Sequence, residues 1–250
     1  MSAGQGTIEA ERTGRGWPLR RAGRARRERR KRPWWQELLV MVLVALVLAW
    51  GIKTFFVQAF SIPSGSMENT LQVGDRVMVD KFTPWFGATP ERGDVVVFHD
   101  PNEWLRDQPQ PKQNGLQTAL SFVGLAPAAS EKDLVKRVIA VGGDTVDCER
   151  NQPVRVNGVA LDEPYLHPGA TPCNRHPVGK VTVPKGMLWV MGDNRENSED
   201  SRFHMDEAIG GFVPVKDVIG RAFVVAWPLT HWRTLPVPGT FDQPGLKGSH

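Results

Sequence analysis

The chain has 250 residues, 40% hydrophobic and 23% charged, which excludes a wholly disordered polymer and leaves room for one domain plus an anchor. Its net charge of +4 is segregated: residues 1–32 hold 11 Lys and Arg against 3 Asp and Glu, and the remainder carries −4. The basic character therefore belongs to a tail, and the composition predicts no nucleic-acid partner for the folded part.

Residues 1–33 predict a disordered basic tail, dense in Arg from Arg20 to Arg32. Leu38 to Val57 holds one charge, Lys53. Twenty helical residues rise about 30 Å, the thickness of a bilayer's hydrocarbon core. Residues 34–57 therefore predict a single transmembrane anchor helix, with Trp34 and Trp35 at one interface and Lys53 reaching toward the other. The run is longer than a signal-peptide core, and no A-x-A-like cleavage site follows it, so the anchor is expected to remain uncleaved. The Arg cluster before it predicts a cytoplasmic N-terminus and an extracytoplasmic body held at the cell membrane.

Residues 58–228 predict a mostly β, antiparallel domain. Short runs alternate between turn residues: Arg76 to Lys81, Asp94 to Phe98, Leu134 to Val141, Val181 to Val183, Met187 to Met191 and Ile219 to Ala226. Asn157-Gly158 inside Val154 to Val159 predicts a two-residue hairpin turn. Residues 101–132, rich in Pro, predict an inserted loop with a short helix. Residues 229–250, again rich in Pro, predict a flexible tail. Cys148 and Cys173 are a disulfide candidate in an oxidising compartment; two free thiols are the alternative. Their spacing matches no zinc motif, so no metal is expected, and nothing calls for a cofactor.

Three features could carry chemistry. Ser64-Gly65-Ser66-Met67 places a hydroxyl on a small turn about ten residues beyond the apolar run. None of the six histidines lies in a Gly- or Ser-rich turn with an evident acidic partner, so a Ser-His-Asp arrangement is unsupported. Lys136 alternates with Leu134, Val138 and Ala140 on one strand face. Burial there would lower its pKa and let the neutral amine act as a general base. Taken alone, an edge-strand lysine that blocks aggregation is the competing explanation. Gly192 to Arg202 forms a polar, charge-alternating loop, either a solvated turn or a network that orients a lysine through Asp–Arg pairs.

Taken together, Ser64 to Met67 with Thr70-Leu71, Gly74 to Val77, Lys136 to Asp144 and Gly192 to Arg202 resemble the motif series of bacterial type I signal peptidases over about residues 35–228. The resemblance implies an antiparallel β catalytic domain behind one membrane helix. It implies Ser66 as nucleophile, Lys136 as general base, and the Ser64 hydroxyl with the Ser66 N–H as oxyanion hole. Ser198 would aim the amine, while Asp193, Asp200, Arg202 and Arg137 would support the site. Phe60, Ile62, Pro63, Met67, Leu71 and Val135 would wall two shallow pockets for an A-x-A-like site. Implied partners are secretory preproteins through their signal peptides, the lipid bilayer and the secretion translocon. The chain departs from the family at one point: Asn69 stands where the family usually has a proline before Thr-Leu. Competing readings are a catalytically degenerate accessory of pilus assembly or a scaffold, and a membrane-anchored β-domain binding module. A soluble self-cleaving regulator would need a DNA-binding domain for which residues 1–33 are too short.

Overall fold

The computed structural model describes residues 33–55, 57–81, 87–105 and 133–246. The expected basic tail and most of the expected insertion lie outside these residues. The chain divides into two compact units, 1–42 and 43–250.

Helix α1 runs Trp34–Phe55. From Trp34 to Leu48 its side chains are exposed on every face, apart from half-buried Gln36. Among the described residues, no helix is long and apolar enough to cross a membrane; the side chains of α1 are described only to Leu48 and at Gly51. The helix ends two residues before the expected boundary, because Val57 already pairs as a strand.

Sheet A joins β1 (Val57–Ser61), β2 (Arg76–Asp80), β11 (Val218–Trp227), β3 (Val95–His99), β4 (Asp133–Val141), β9 (Met187–Met191) and β10 (Val213–Pro214) in that spatial order. A short β12 (Arg233–Thr234) adds to β11. Sheet B is ordered β7 (Val159–Ala160), β6 (Arg155–Val156), β5 (Thr145–Cys148), β8 (Val178–Thr182). Every pairing is antiparallel, as the pattern of short strands predicts. The β6–β7 turn is the expected one: Asn157 and Gly158 have φ of 51° and 81°, the left-handed pair a type I′ hairpin demands.

Packing follows the strand periodicity. Leu134 and Val138 of β4 pack with Val96, Phe98 and Trp104, while half-buried Val135 packs with Phe60, Ile62 and Leu71. The expected face of Leu134, Lys136, Val138 and Ala140 holds as far as Val138. A bulge between Val138 and Ala140 then shifts the parity, and Ala140 joins Ile139 in a third core between the sheets.

Two expectations for irregular regions need correction. Trp104, inside the expected insertion, is a buried core residue. Residues 229–246 are no flexible tail: Leu235, Phe241 and Leu246 are buried, and β12 hydrogen-bonds to β11. Frequent proline suggests looseness, yet Pro238 precedes a 3-10 turn, Gly239–Asp242, that places Phe241 in the core.

Candidate active site

Ser66 sits in the loop joining β1 to β2. Ile62 N–H donates to Asp75 O, and Gly74 N–H donates to Ile62 O, each at 2.9 Å, closing the loop at its base. Within it, Gly65–Met67 make one 3-10 turn whose three residues are buried. The Asp75 carboxylate accepts from Gln72 N–H at 2.9 Å and pairs with His231 Nδ1 at 2.7 Å. Arg233 Nη2 donates to Thr70 O at 2.5 Å. The C-terminal segment thus braces the serine turn from behind.

Ser64 is exposed and extended, with φ −132°. Its hydroxyl lies 3.4 Å from Ser66 Oγ. Among the described residues this hydroxyl is the hydrogen-bond partner of Ser66 Oγ, rather than Lys136 or a histidine. Three histidines do meet carboxylates: His99 with Asp133, His204 with Glu207 and His231 with Asp75. The sequence reading missed these pairs because the partners come from distant segments or from outside Gly- and Ser-rich turns.

Lys136 lies on β4 opposite Val96 of β3 and is 3% exposed. The turn containing Ser66 packs against this strand. Burial lowers the amine's pKa from 10.5 to about 8; Asp200 pulls it up, Arg202 pushes it down, and Glu199 and Asp193 raise it slightly. The aggregation-blocking explanation fails, since β4 is interior to the sheet and the side chain is covered.

The loop after β9 is a buried network. Asp200 accepts from Ser198 Oγ at 2.8 Å, Gly192 N–H at 3.0 Å, and Arg202 Nε and Nη2 at 2.8 and 3.0 Å. Burial alone would raise the Asp200 pKa, but the Arg202 charge and hydrogen bonds outweigh it and hold it at about 2. Because the Ser198 hydroxyl donates to Asp200, its lone pairs remain able to accept from an amine. Ser201 Oγ accepts from Val190 N–H at 2.9 Å, fastening the loop to β9.

The serine turn and this loop touch at Gly192. A Cβ there would stand 2.3 Å from Ser198 Oγ and 2.5 Å from Ser66 O, so only glycine fits between them. Asn194 N–H donates to Ser66 O at 3.0 Å. Arg137, on the face opposite Lys136, donates twice to Asp193, at 2.9 and 2.6 Å, and to Gly93 O at 2.8 Å. Burial opposes the Arg137 charge, but Asp193 more than compensates and raises its pKa. Ser64, Ser66, Arg137, Asp193, Ser198, Asp200 and Arg202 therefore converge around the strand that carries Lys136.

The six expected pocket residues divide. Phe60, Ile62, Met67 and Leu71 are core, whereas Pro63 is exposed and Val135 half-buried. Val135 packs against the cluster that holds those four.

Sequence reasoning did not find the segment that crosses this network. Glu163 forms a buried ion pair with Arg195, and Tyr165 donates to Glu163 Oε1 at 2.8 Å while its ring lies under the Arg137 guanidinium. Burial pushes the Tyr165 hydroxyl's pKa well above its usual value, and the Glu163 charge raises it further. Cys173 is disulfide-bonded to Cys148, with Cα atoms 5.4 Å apart. The Cys148–Cys173 disulfide bears out the sequence candidate, whereas the Glu163–Arg195 and Tyr165–Arg137 contacts join residues distant in sequence and carry no local signal. Arg195, within the polar loop Gly192 to Arg202, is fully buried, which its charge does not signal in the sequence.

The chain matches the family described as signal peptidase, peptidase S26, over residues 35–227. It is 44% identical over 224 residues to signal peptidase I of Mycobacterium tuberculosis, covering 81% of this chain and 76% of that protein. It is 43% identical over 234 residues to probable signal peptidase I of Mycobacterium leprae, covering 82% and 80%. The solved structure of a signal peptidase I from Enterococcus faecalis V583 matches at 28% identity, covering 54% of this chain and 97% of that one, with a TM-score of 0.35.

Proposed function

Because the chain belongs to the signal peptidase family, peptidase S26, we propose that it cleaves signal peptides with Ser66 as nucleophile and neutral Lys136 as general base. It is a hydrolase, a serine endopeptidase. The observation that carries the assignment is Lys136: a buried amine with a pKa lowered to about 8, on a strand against which the Ser66 turn packs.

Lys136 takes the Ser66 proton as Oγ attacks the carbonyl before the scissile bond. The resulting oxyanion is held by the Ser66 N–H and the Ser64 hydroxyl. The Lys136 ammonium then protonates the departing amine, leaving an acyl-enzyme. A water deprotonated by Lys136 attacks the ester, and the proton returns to Ser66 as the acid leaves. Ser64 now bonds Ser66 Oγ, and the amine's bond to that oxygen forms when substrate is bound; catalytic hydrogen bonds commonly tighten at that stage. Ser198, donating to Asp200, offers its lone pair to the ammonium and aims it.

The substrate would lie extended, its main chain pairing with backbone near the serine turn. Side chains one and three residues before the cut would face the surface between Pro63 and Val135, which favours small residues in an A-x-A-like pattern. The exposed apolar surface of α1 supports a membrane anchor, since a soluble protein rarely leaves such an area in water, and the Arg cluster before it supports a cytoplasmic N-terminus. The body adds exposed Phe223, Trp227, Leu229 and Trp232. Preproteins and the bilayer are thus its partners, and the secretion translocon would deliver the former.

Cleavage of one secretory precursor by detergent-solubilised enzyme tests the assignment. Ser66→Ala and Lys136→Ala should each lose at least 10³-fold in kcat while melting as folded proteins. Processing at the unmodified rate by either folded variant would refute it.

A further inference from the structure

Asn69 occupies an unusual backbone position. Its φ is +82°, in the left-handed region where Asn and Gly are tolerated and where proline, fixed near −65°, cannot go. Its side-chain amide donates to Tyr165 O at 3.1 Å and to Leu166 O at 3.0 Å. These carbonyls belong to a strap, residues 163–176, that continues onto the loop around Lys136. His167 N–H donates to Asp193 O at 3.0 Å, Thr171 Oγ1 to Glu196 Oε1 at 2.7 Å, and Arg195 Nη1 to Pro172 O at 3.0 Å. The strap is pinned at its far side by the Cys148–Cys173 disulfide.

The serine turn and the base loop come from opposite ends of the domain's sequence. Among the described residues they meet directly at Gly192, at Asn194 and through the Thr70–Asp193 hydrogen bond. The strap adds a second bridge. One end is held by the Asn69 amide three residues after Ser66, and the other is held along residues 193–196.

We propose that Asn69 is a positioning residue for the cleavage reaction: its two hydrogen bonds to the strap set the Ser66 turn against the loop that holds Lys136. The inference rests on the Ser66–Lys136 reading. It also gives the departure from the family's usual proline a physical reason. Here the turn is built on a left-handed residue with two donors, and the strap supplies their acceptors.

Two substitutions separate the hydrogen bonds from the backbone. Asn69→Gly keeps access to φ +82° and removes both donors. Asn69→Asp keeps the side-chain shape and left-handed tolerance but turns an acceptor toward two carbonyl oxygens. For each variant, kcat and KM on a secretory precursor are measured per folded molecule, with the melting temperature and the pH dependence of kcat. Small displacements of reacting groups cost rate steeply. The expected result is a kcat loss on the order of tenfold for Asn69→Gly and more for Asn69→Asp. KM and the rising limb of the pH profile should stay in place, because the burial of Lys136 is unchanged.

A lowered melting temperature with unmodified kcat per folded molecule would make Asn69 merely structural and overturn the inference. So would full activity in Asn69→Pro, which cannot adopt the observed backbone. Ser66→Ala is run alongside. If it still cleaves, the dyad reading falls and takes this inference with it. If it is inactive while the Asn69 variants turn over normally, this inference alone falls.

Discussion

Lys136 shows how a single side chain acquires its chemistry from its surroundings. Burial drives its amine toward neutrality, Asp200 opposes that, and Arg202 assists it. Two substitutions should therefore move the rising limb of the pH–kcat/KM profile in opposite directions. Asp200→Asn removes the charge that stabilises the ammonium, so the limb shifts to lower pH. Arg202→Gln removes a repelling charge and leaves Asp200 unpaired, so it shifts to higher pH. Each breaks a buried ion pair and should also cost about 3–5 kcal/mol in stability, read from urea unfolding. Equal or same-direction shifts in the two profiles would mean another group controls the reaction. The folded-state pKa of Lys136 lies below its unfolded value of 10.5, so the unfolded chain holds its proton more tightly. Stability contributed by this position should rise between pH 8 and 10.5, and the penalty is full below pH 8. Lys136→Met should then stabilise the protein at pH 7 by up to ~3 kcal/mol, an advantage that fades between pH 8 and 10.5 and is gone above that; calorimetry across that range checks it. Strand alternation made Lys136 a candidate, because its neighbours Leu134 and Val138 are apolar, but an edge-strand lysine fitted the same pattern until the motif resemblance singled it out as the base. Asn69 was visible only as a departure from a motif. Its donors end on backbone carbonyls nearly a hundred residues away, and carbonyls carry no sequence signal.

Among the structural elements, the strand runs and the Asn157-Gly158 hairpin were legible because period-two patterning and left-handed turn residues are local properties. The short β5, β10 and β12 were not, since strands of two to four residues owe their pairing to neighbours rather than to their own pattern, and β1 was hidden because it follows the apolar run with no turn residue between them. The C-terminal segment is the clearest case: its prolines suggested looseness, whereas Arg233 reaches Thr70 O and Phe241 joins the core beside Tyr165. Phe241→Ala should therefore destabilise the fold by about 3–5 kcal/mol, whereas a residue in a loose tail would cost nothing measurable by chemical denaturation. The strap gives a second expectation. Cys148 and Cys173 close a loop with a sequence separation of 25, so the Cys148→Ser/Cys173→Ser double variant should lose about 3 kcal/mol. Reducing agent should lower the melting temperature of the unmodified protein and leave that of the double variant unchanged.

For the whole molecule, the proposed function pairs a membrane-bound substrate with an enzyme carrying its own proposed anchor. An anchor would hold the site near the end of the substrate's own apolar helix and raise the effective concentration of the two. The chain lacking residues 1–56 should lose resistance to alkaline carbonate extraction or fall back to association through Phe223, Trp227, Leu229 and Trp232 alone. It should still cut a detergent-solubilised precursor, with the loss appearing in KM rather than kcat; full carbonate resistance without those residues would show that α1 is not the anchor. The central claim is that a neutral amine at position 136 activates the hydroxyl at position 66. The pH dependence of kcat/KM on a peptide with an A-x-A-like site tests it most directly. The account predicts activity that climbs through a midpoint near pH 8, set by the burial of Lys136, and levels off above it. A limb centred near pH 6.5, the ordinary range of a histidine, would contradict it.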